Sequence, residues 1–228
     1  MRTSARIIRK SEIQKKMKKA TALYFYDLRQ GDLLFMRDSS DISRAITGIE
    51  KESVYSHVGI YFDGMIYHAT QKKGVNKQLL KAYLAEERKE VSVYRLDFID
   101  AKKTKSEAEK YLGLPYNHGF YPDAKGFYCS QYVAKILPIF ETVPMKFNDG
   151  LNEISGYWKK YYEKLGLEVP LNQPGTNPYQ LSLSKKLAFI GKLQTQDESC
   201  DFVPKQNKND YNSDTKNKIS HLIKIEKN

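Results

Sequence analysis

The sequence has few cysteines and no long apolar run. Only Cys129 and Cys200 occur in 228 residues, so a small disulfide-stapled domain is excluded, and we expect two reduced thiols. No window approaches the roughly 18 apolar residues that span a bilayer. The basic N-terminus lacks the apolar segment and the cleavage site of a secretory signal. We therefore expect a cytoplasmic protein, or one that associates with a membrane or the cell envelope.

The positive charge is concentrated at one end of the chain. The formal net charge is +11, and residues 1–20 hold eight Lys or Arg against one Glu. We expect residues 1–27 to form a basic amphipathic helix or arm, with apolar residues at helical spacing up to about Tyr24. Such an arm either packs on the domain or contacts an anionic membrane or wall polymer. Nucleic acid is an unlikely partner, because no recognised binding motif is present.

Composition predicts one globular domain between two extensions. With 40% hydrophobic and 12% aromatic residues, the chain can bury a sizeable core. We place the domain at residues 28–193. Residues 194–228 are rich in Asn, Lys and Asp and poor in apolar residues, which predicts a disordered polar tail.

Two segments about seventy residues apart carry the chemistry. Ser56–Tyr61 reads as a strand that contains His57 and leads to an Asp63-Gly64 turn. Phe127–Val133 follows a Gly- and Pro-rich loop and reads as the entry into a helix, with Cys129 in its first turn. A helix N-terminus and a nearby imidazole both favour a thiolate, which is the nucleophilic form of cysteine. We therefore predict that Cys129 is a nucleophile and that His57 is its general base and acid.

A third residue is needed to orient the imidazole. If Asp63 and Gly64 form a two-residue turn, His57 and His68 are diagonal neighbours on one face of the hairpin, with Cβ atoms about 7–8 Å apart. His68 is therefore the predicted orienting residue. A neutral imidazole at this place stabilises an imidazolium less than a carboxylate would.

Several segments in this order resemble the YiiX/YebB-like group, a circularly permuted branch of the NlpC-type papain-like cysteine amidases. The resembling segments are Gly31–Phe35 with Ser39-Ser40, the His57 strand, Met65–Ala69, Gly113–Asn117, Tyr128–Ser130 and Pro174–Pro178. The resemblance implies an α+β, permuted papain-like fold in which an antiparallel sheet or partial barrel packs against the helix that bears the cysteine. It also implies a Cys/His pair that hydrolyses an amide or ester, such as a peptidoglycan-type peptide or another small amide. Many members of the branch carry Glu where this chain has His68, and retinol-acyltransferase-like relatives carry His.

Three further residues are candidates for contacts with the substrate or the oxyanion. Tyr116 and Tyr128 flank the approach to the cysteine and are candidates for oxyanion or substrate contacts, and so is Asp32 in the first turn. No metal site and no cofactor are expected, because the two histidines and one cysteine lack zinc-ligand spacing and a fourth ligand. Two alternatives stay open. The same residues suit a lipid acyltransferase or deacylase, and they suit a domain that binds a ligand without catalysis.

Overall fold

The computed structural model describes residues 22–37, 40–49, 53–87 and 90–194. Most of the predicted arm, up to residue 21, and the predicted tail from residue 195 lie outside the described residues. Within the described part, none of the helices has both the length and the apolar character that a membrane crossing requires.

The described residues form nine strands and six α-helices. The strands are β1 (Ala22–Leu23), β2 (Leu33–Arg37), β3 (His57–Phe62), β4 (Met65–Thr70), β5 (Gly74–Leu79), β6 (Glu90–Leu96), β7 (Val143–Pro144), β8 (Pro174–Gly175) and β9 (Leu187–Leu193). The helices are α1 (Asp41–Gly48), α2 (Leu80–Glu87), α3 (Ala101–Glu109), α4 (Cys129–Ile136), α5 (Gly156–Leu165) and α6 (Pro178–Ser182). Seven strands form one sheet in the order β1-β9-β6-β2-β3-β4-β5, and β7 pairs with β8. All neighbours in the large sheet are antiparallel except β1 and β9.

The β3–β4 hairpin has the predicted register. Ile60 pairs with Tyr67 and Phe62 pairs with Met65, so Asp63 and Gly64 are the two turn residues. Both have positive φ, 50° and 77°, as the tight hairpin turns that prefer Asp-Gly require. This confirms that His57 and His68 are diagonal neighbours on one face.

The sheet is covered on both faces. Val58, Ile60 and Phe62 of β3 point to the face where α4 packs, through Tyr132 and Val133. The alternate residues point to the opposite face, where Tyr61 and Ile66 pack with Tyr83 and Leu84 of α2. The cysteine-bearing helix therefore packs against the antiparallel sheet, which confirms the predicted fold class.

Three elements are set by contacts that the sequence pattern does not show. The helical pattern predicted up to about Tyr24 does not hold at residues 22 and 23, because Ala22–Leu23 form β1, which pairs with Lys192 and Leu193 of β9. Helix α5 begins at Gly156, because the Ser155 hydroxyl accepts from the Trp158 amide and caps the helix there. β5 was not predicted, because its residues 76–78 are polar and it is held by pairing with β4 at the sheet edge.

The two ends of the domain meet at the β1 edge of the sheet. The amide of Gln194 donates to the carbonyl of Leu23 at 2.8 Å. Leu23 and Gln194 therefore lie side by side, at the other end of the sheet from β5.

Candidate active site

Cys129 is the first residue of α4 and is 5% exposed. Tyr128, which precedes it, has extended backbone and forms the N-cap. The first amides of a helix have no intrahelical acceptor and carry the positive end of its dipole. The thiol therefore lies where backbone N–H groups converge, as the sequence predicted.

The thiol reaches the end of β3 from the α4 side. Cys129 Sγ lies 3.9 Å from the carbonyl oxygen of Ser56, the residue before His57. His57 is the first residue of β3 and its side chain is on the α2 face of the sheet. Cys129 and His57 thus both lie at the start of β3, the thiol beside the Ser56 carbonyl and the imidazole against Tyr83.

His57 and His68 are hydrogen-bonded. The Nε2 atom of His57 lies 2.9 Å from the Nδ1 atom of His68. His68 is completely buried, whereas His57 is partly exposed. The hydrogen bond to His68 therefore fixes the orientation of the His57 ring.

Sequence reasoning missed a further link, Gln78 in β5. Its Nε2 atom lies 2.9 Å from the Nε2 atom of His68, and its Oε1 atom accepts from the Lys73 ammonium at 3.0 Å. The lysine favours the amide orientation in which Gln78 donates to His68. That orientation makes His68 Nε2 an acceptor and places the His68 proton on Nδ1, towards His57.

Tyr83 of α2 packs against both imidazoles. Its ring centroid is 4.7 Å from that of His68, at 89°, and 6.3 Å from that of His57. Tyr83 is 6% exposed, so it separates the imidazole pair from water on this face. Exclusion of water strengthens the hydrogen bond between the two rings.

A cavity of about 380 Å³ opens beside Cys129. It falls in the size range of small-molecule sites, about 300–1,000 Å³. Its lining is largely apolar and aromatic, drawn from α1, the 116–130 segment, the 143–147 segment, α5 and the 176–180 segment. Both Tyr116 and Tyr128 line it, and their contact with a substrate or oxyanion stays a prediction.

The two tyrosines differ in their hydrogen bonds. The Tyr128 hydroxyl accepts from the Thr176 amide at 3.0 Å, which ties the helix start to the 174–178 segment. Burial raises the pKa of Tyr116 well above its ordinary value, and negative charge on Cys129 raises that pKa further. Burial also raises the pKa of Tyr128. Both hydroxyls are therefore neutral at physiological pH.

Asp32 is not part of this cavity. Its carboxylate accepts from Arg95 Nε at 2.7 Å and Nη2 at 2.8 Å, and from the Arg29 amide at 2.8 Å. Its carbonyl accepts from the Tyr61 amide, at the other end of β3 from His57. A completely buried carboxylate with these partners holds the first turn on the sheet, so we withdraw its predicted contact with substrate.

The loop that carries Tyr116 is held firmly. The carbonyl of Pro115 accepts from the Phe127 amide at 3.1 Å, and a Cβ at Gly126 would collide with that carbonyl. The Tyr161 and Tyr162 hydroxyls of α5 donate to the carbonyls of His118 and Gly119, each at 3.0 Å. These contacts fix one wall of the cavity.

Phe120, in the same wall, has φ of 58°, a backbone conformation that is strained for an aromatic residue and costs about 1–3 kcal/mol. Strain of this kind persists only where the surroundings enforce it.

Among the described residues, no group of three or more His, Cys, Asp or Glu side chains is arranged to hold a metal ion.

Comparisons with known proteins agree with this geometry. The profile of the permuted papain-like amidase enzymes, YaeF/YiiX, C92 family, matches residues 27–190. A crystal structure titled as the metalloprotein yiiX from Escherichia coli O157:H7 superposes with a TM-score of 0.62 and 25% identity, over 72% of this chain and 97% of that one. Gamma-DL-glutamyl hydrolase of Bacillus subtilis (strain 168) is 32% identical over 128 residues, 50% of this chain. That match spans 27% of the Bacillus protein.

Proposed function

This chain belongs to the family of permuted papain-like amidases and is an amidase- or peptidase-type hydrolase, and we propose that it cleaves its amide substrate through a covalent thioester on Cys129. The observation that carries the proposal is the position of Cys129 at the first turn of α4, beside a cavity and 3.9 Å from the residue that precedes His57. The hydrogen bond between His57 and His68 supports His57 as the partner of the thiol.

The proposed reaction has two halves. His57 reacts in the tautomer whose Nε2–H donates to His68 Nδ1, with the Gln78 amide turned so that its oxygen accepts from His68 Nε2–H. His57 Nδ1 then takes the thiol proton, and the thiolate sulfur attacks the amide carbonyl carbon to form a tetrahedral intermediate. The C–N bond breaks, His57 protonates the departing amine, and an acyl thioester remains on Cys129. His57 then takes a proton from water, whose oxygen attacks the thioester carbonyl. The C–S bond breaks, the acid is released, and His57 returns the proton to the sulfur, which regenerates the thiol.

The developing oxyanion needs hydrogen-bond donors. The backbone N–H of Cys129 at the start of α4 is one candidate. The neutral hydroxyl of Tyr116, close enough to Cys129 to respond to its charge, is the second candidate.

Trapping of the acyl-enzyme tests the mechanism. Incubation with p-nitrophenyl acetate, read by intact mass, is expected to add one acetyl group at Cys129, and peptide mapping separates this residue from Cys200. The Cys129→Ala variant is the matched control and should gain no acetyl group at this peptide. Equal labelling of wild type and variant would refute the thioester mechanism.

Two substrate classes have support. The Bacillus relative is a gamma-DL-glutamyl hydrolase, which favours a γ-glutamyl amide or a peptidoglycan-type peptide. The apolar lining of the cavity favours instead an apolar acyl group, as in lipid acyl transfer or deacylation. Hydrolysis of wall peptides, compared with hydrolysis of acyl lipids under the same conditions, separates the two.

We further propose that the basic N-terminal residues contact an anionic membrane or wall polymer, on the strength of their charge. Flotation with phosphatidylglycerol vesicles tests this, and phosphatidylcholine vesicles are the control. Truncation should stop before Ala22, because Ala22–Leu23 belong to the sheet. Unchanged flotation after truncation would refute the proposal.

A further inference from the structure

The lining of the cavity beside Cys129 combines buried and exposed residues. Cys129 is 5% exposed, and most of the other lining residues are buried or half-buried. Within the described part of the lining, Pro144 and Lys146 are the two exposed residues. The lining therefore meets solvent at the 143–147 segment, whereas the thiol lies among buried residues.

Lys146 is the one charged residue among the described residues of the lining, which include no Asp or Glu. The Lys146 ammonium forms no ion pair within the part of the chain that the structure describes. An ammonium has three hydrogen-bond donors and no acceptor. It is therefore free to bind a negatively charged group brought by a ligand.

The backbone on either side of Lys146 is fixed. The Met145 amide donates to the Gln173 carbonyl at 2.9 Å. Phe147 is 1% exposed, and its carbonyl accepts from the Ser155 amide at 2.8 Å. The place of Lys146 at the cavity is thus set before a ligand arrives, which lowers the entropic cost of binding.

Buried hydroxyl groups of the lining are paired within the protein. The Thr176 hydroxyl donates to Ser130 Oγ at 3.1 Å, and the Thr176 amide donates to the Tyr128 hydroxyl at 3.0 Å. Burial raises the pKa of Tyr116 and of Tyr128, so neither hydroxyl is charged. A carboxylate among these groups would lose its hydration without a cation to compensate it. Beside the exposed ammonium of Lys146, a carboxylate keeps contact with solvent and gains an ion pair.

We infer that Lys146 binds a carboxylate on the acyl part of the substrate, and that this contact selects acyl groups with a negative charge a few atoms from the scissile carbonyl. This rests on the proposed function, since it takes the cavity as the acyl site of Cys129. A γ-glutamyl amide has this chemistry, because two methylene groups separate its scissile carbonyl from the carbon that bears the α-carboxylate. The methylene groups suit the apolar lining, and the carboxylate suits the ammonium.

The inference separates the two proposed substrate classes. The uncharged acyl chain of a lipid fills an apolar cavity but leaves Lys146 without a partner. A γ-glutamyl amide, or a peptidoglycan-type peptide with a free α-carboxylate, fills the cavity and pairs with the cation. Lys146 therefore favours the second class.

Binding to the Cys129→Ala variant tests this without catalysis. Trp158 is the single tryptophan of the chain and lines the cavity, so its fluorescence reports occupancy. The probes are N-acetyl-γ-glutamyl-alaninamide, which has a free α-carboxylate, and the same compound with an α-carboxamide, each in the D and the L form. For at least one enantiomer, we expect the carboxylate probe to bind about fivefold more tightly at low salt, the upper range of an exposed ion pair. The ratio should shrink at high salt, because salt screens exposed charges.

Loss of the charge should erase that ratio. In the Cys129→Ala background, Lys146→Met is expected to lower the ratio to about one, and Lys146→Glu should invert it. Lys185→Met is the matched control, because Lys185 is equally exposed but lines a different cavity, and it should keep the ratio. A ratio of one before any lysine is replaced, a ratio that survives Lys146→Met, an equal loss in Lys185→Met, or no binding of either probe would overturn the inference.

The outcome is independent of the mechanism. If the ratio depends on Lys146 but Cys129 forms no acyl-enzyme, the thioester mechanism fails and the carboxylate contact holds. If p-nitrophenyl acetate labels Cys129 but the ratio does not depend on Lys146, only the carboxylate contact is overturned.

Discussion

The Nε2 atom of His57 and the Nδ1 atom of His68 are 2.9 Å apart, and the two rings meet at 74°. One hydrogen bond therefore joins a partly exposed imidazole at the strand end to a completely buried one. The buried ring is tied in turn to Gln78. The orientation of His57 is thus set through His68, which is itself oriented by Gln78.

Replacement of His57 is expected to suppress the thiolate. In His57→Ala, the midpoint of the iodoacetamide alkylation rate of Cys129 should move to higher pH, because the thiolate loses its counter-charge. Amide turnover should fall by about 10²–10⁴-fold, the usual contribution of a general base. Mass spectrometry separates Cys129 from Cys200, and His118→Ala, at an exposed histidine, is the control. An unchanged profile in His57→Ala would show that the two residues do not form a pair.

Substitution of Gln78 should act through the tautomer of His68. In Gln78→Glu, the new carboxylate accepts a hydrogen bond from His68 Nε2–H. His68 Nδ1 then carries no hydrogen and accepts a hydrogen bond from His57. This arrangement stabilises the His57 imidazolium, and the alkylation profile of Cys129 should move to lower pH. Gln78→Met removes the hydrogen bond without adding charge, and its profile should not move to lower pH. If the two variants have the same alkylation profile, Gln78 does not control the tautomer of His68.

Replacement of Asp32 should destabilise the fold and spare the thiol. Asp32→Asn leaves Arg95 without its carboxylate, and breaking such a buried pair costs about 3–5 kcal/mol of unfolding free energy. Lys192→Ala breaks the exposed pair with Glu90 and should cost about 0–1 kcal/mol. Urea unfolding measures both. A change in the pH profile of Cys129 alkylation in folded Asp32→Asn would show that Asp32 influences the site.

The two cavity tyrosines should respond differently to loss of the hydroxyl. If Tyr116 donates to the oxyanion, Tyr116→Phe lowers kcat by about 10²–10³-fold with little change in KM. Tyr128→Phe instead leaves the Thr176 amide without its acceptor and should lower the unfolding free energy by about 1–3 kcal/mol. An unchanged kcat in Tyr116→Phe would show that Tyr116 does not donate to the oxyanion and that the backbone amides are the remaining candidates.

The parts of the site that depend on turns and helix starts could be predicted from neighbouring residues in the sequence. The Asp63-Gly64 turn fixed the register of β3 and β4, so the contact between His57 and His68 could be predicted before the fold was known. The Gly- and Pro-rich loop before Cys129 likewise predicted a helix start at that residue.

Residues that reach the site through long-range packing were not predicted. Gln78 lies in β5, whose polar residues carry no strand signal of their own. Trp158 of α5 lines the cavity, although it lies far from Cys129 along the chain. Asp32 was misassigned because its partner Arg95 is 63 residues away.

The contact between Leu23 and Gln194 bears on how the order of the segments along the chain can change. Because the two ends of the sheet domain are joined by a backbone hydrogen bond, a short linker between them would close the polypeptide into a ring with little strain. A ring of this kind can be reopened at an exposed loop while every strand keeps its neighbours. A chain in which the histidine precedes the cysteine and a chain with the reverse order are then circular permutations of each other. The arrangement of the two residues in space need not differ between them.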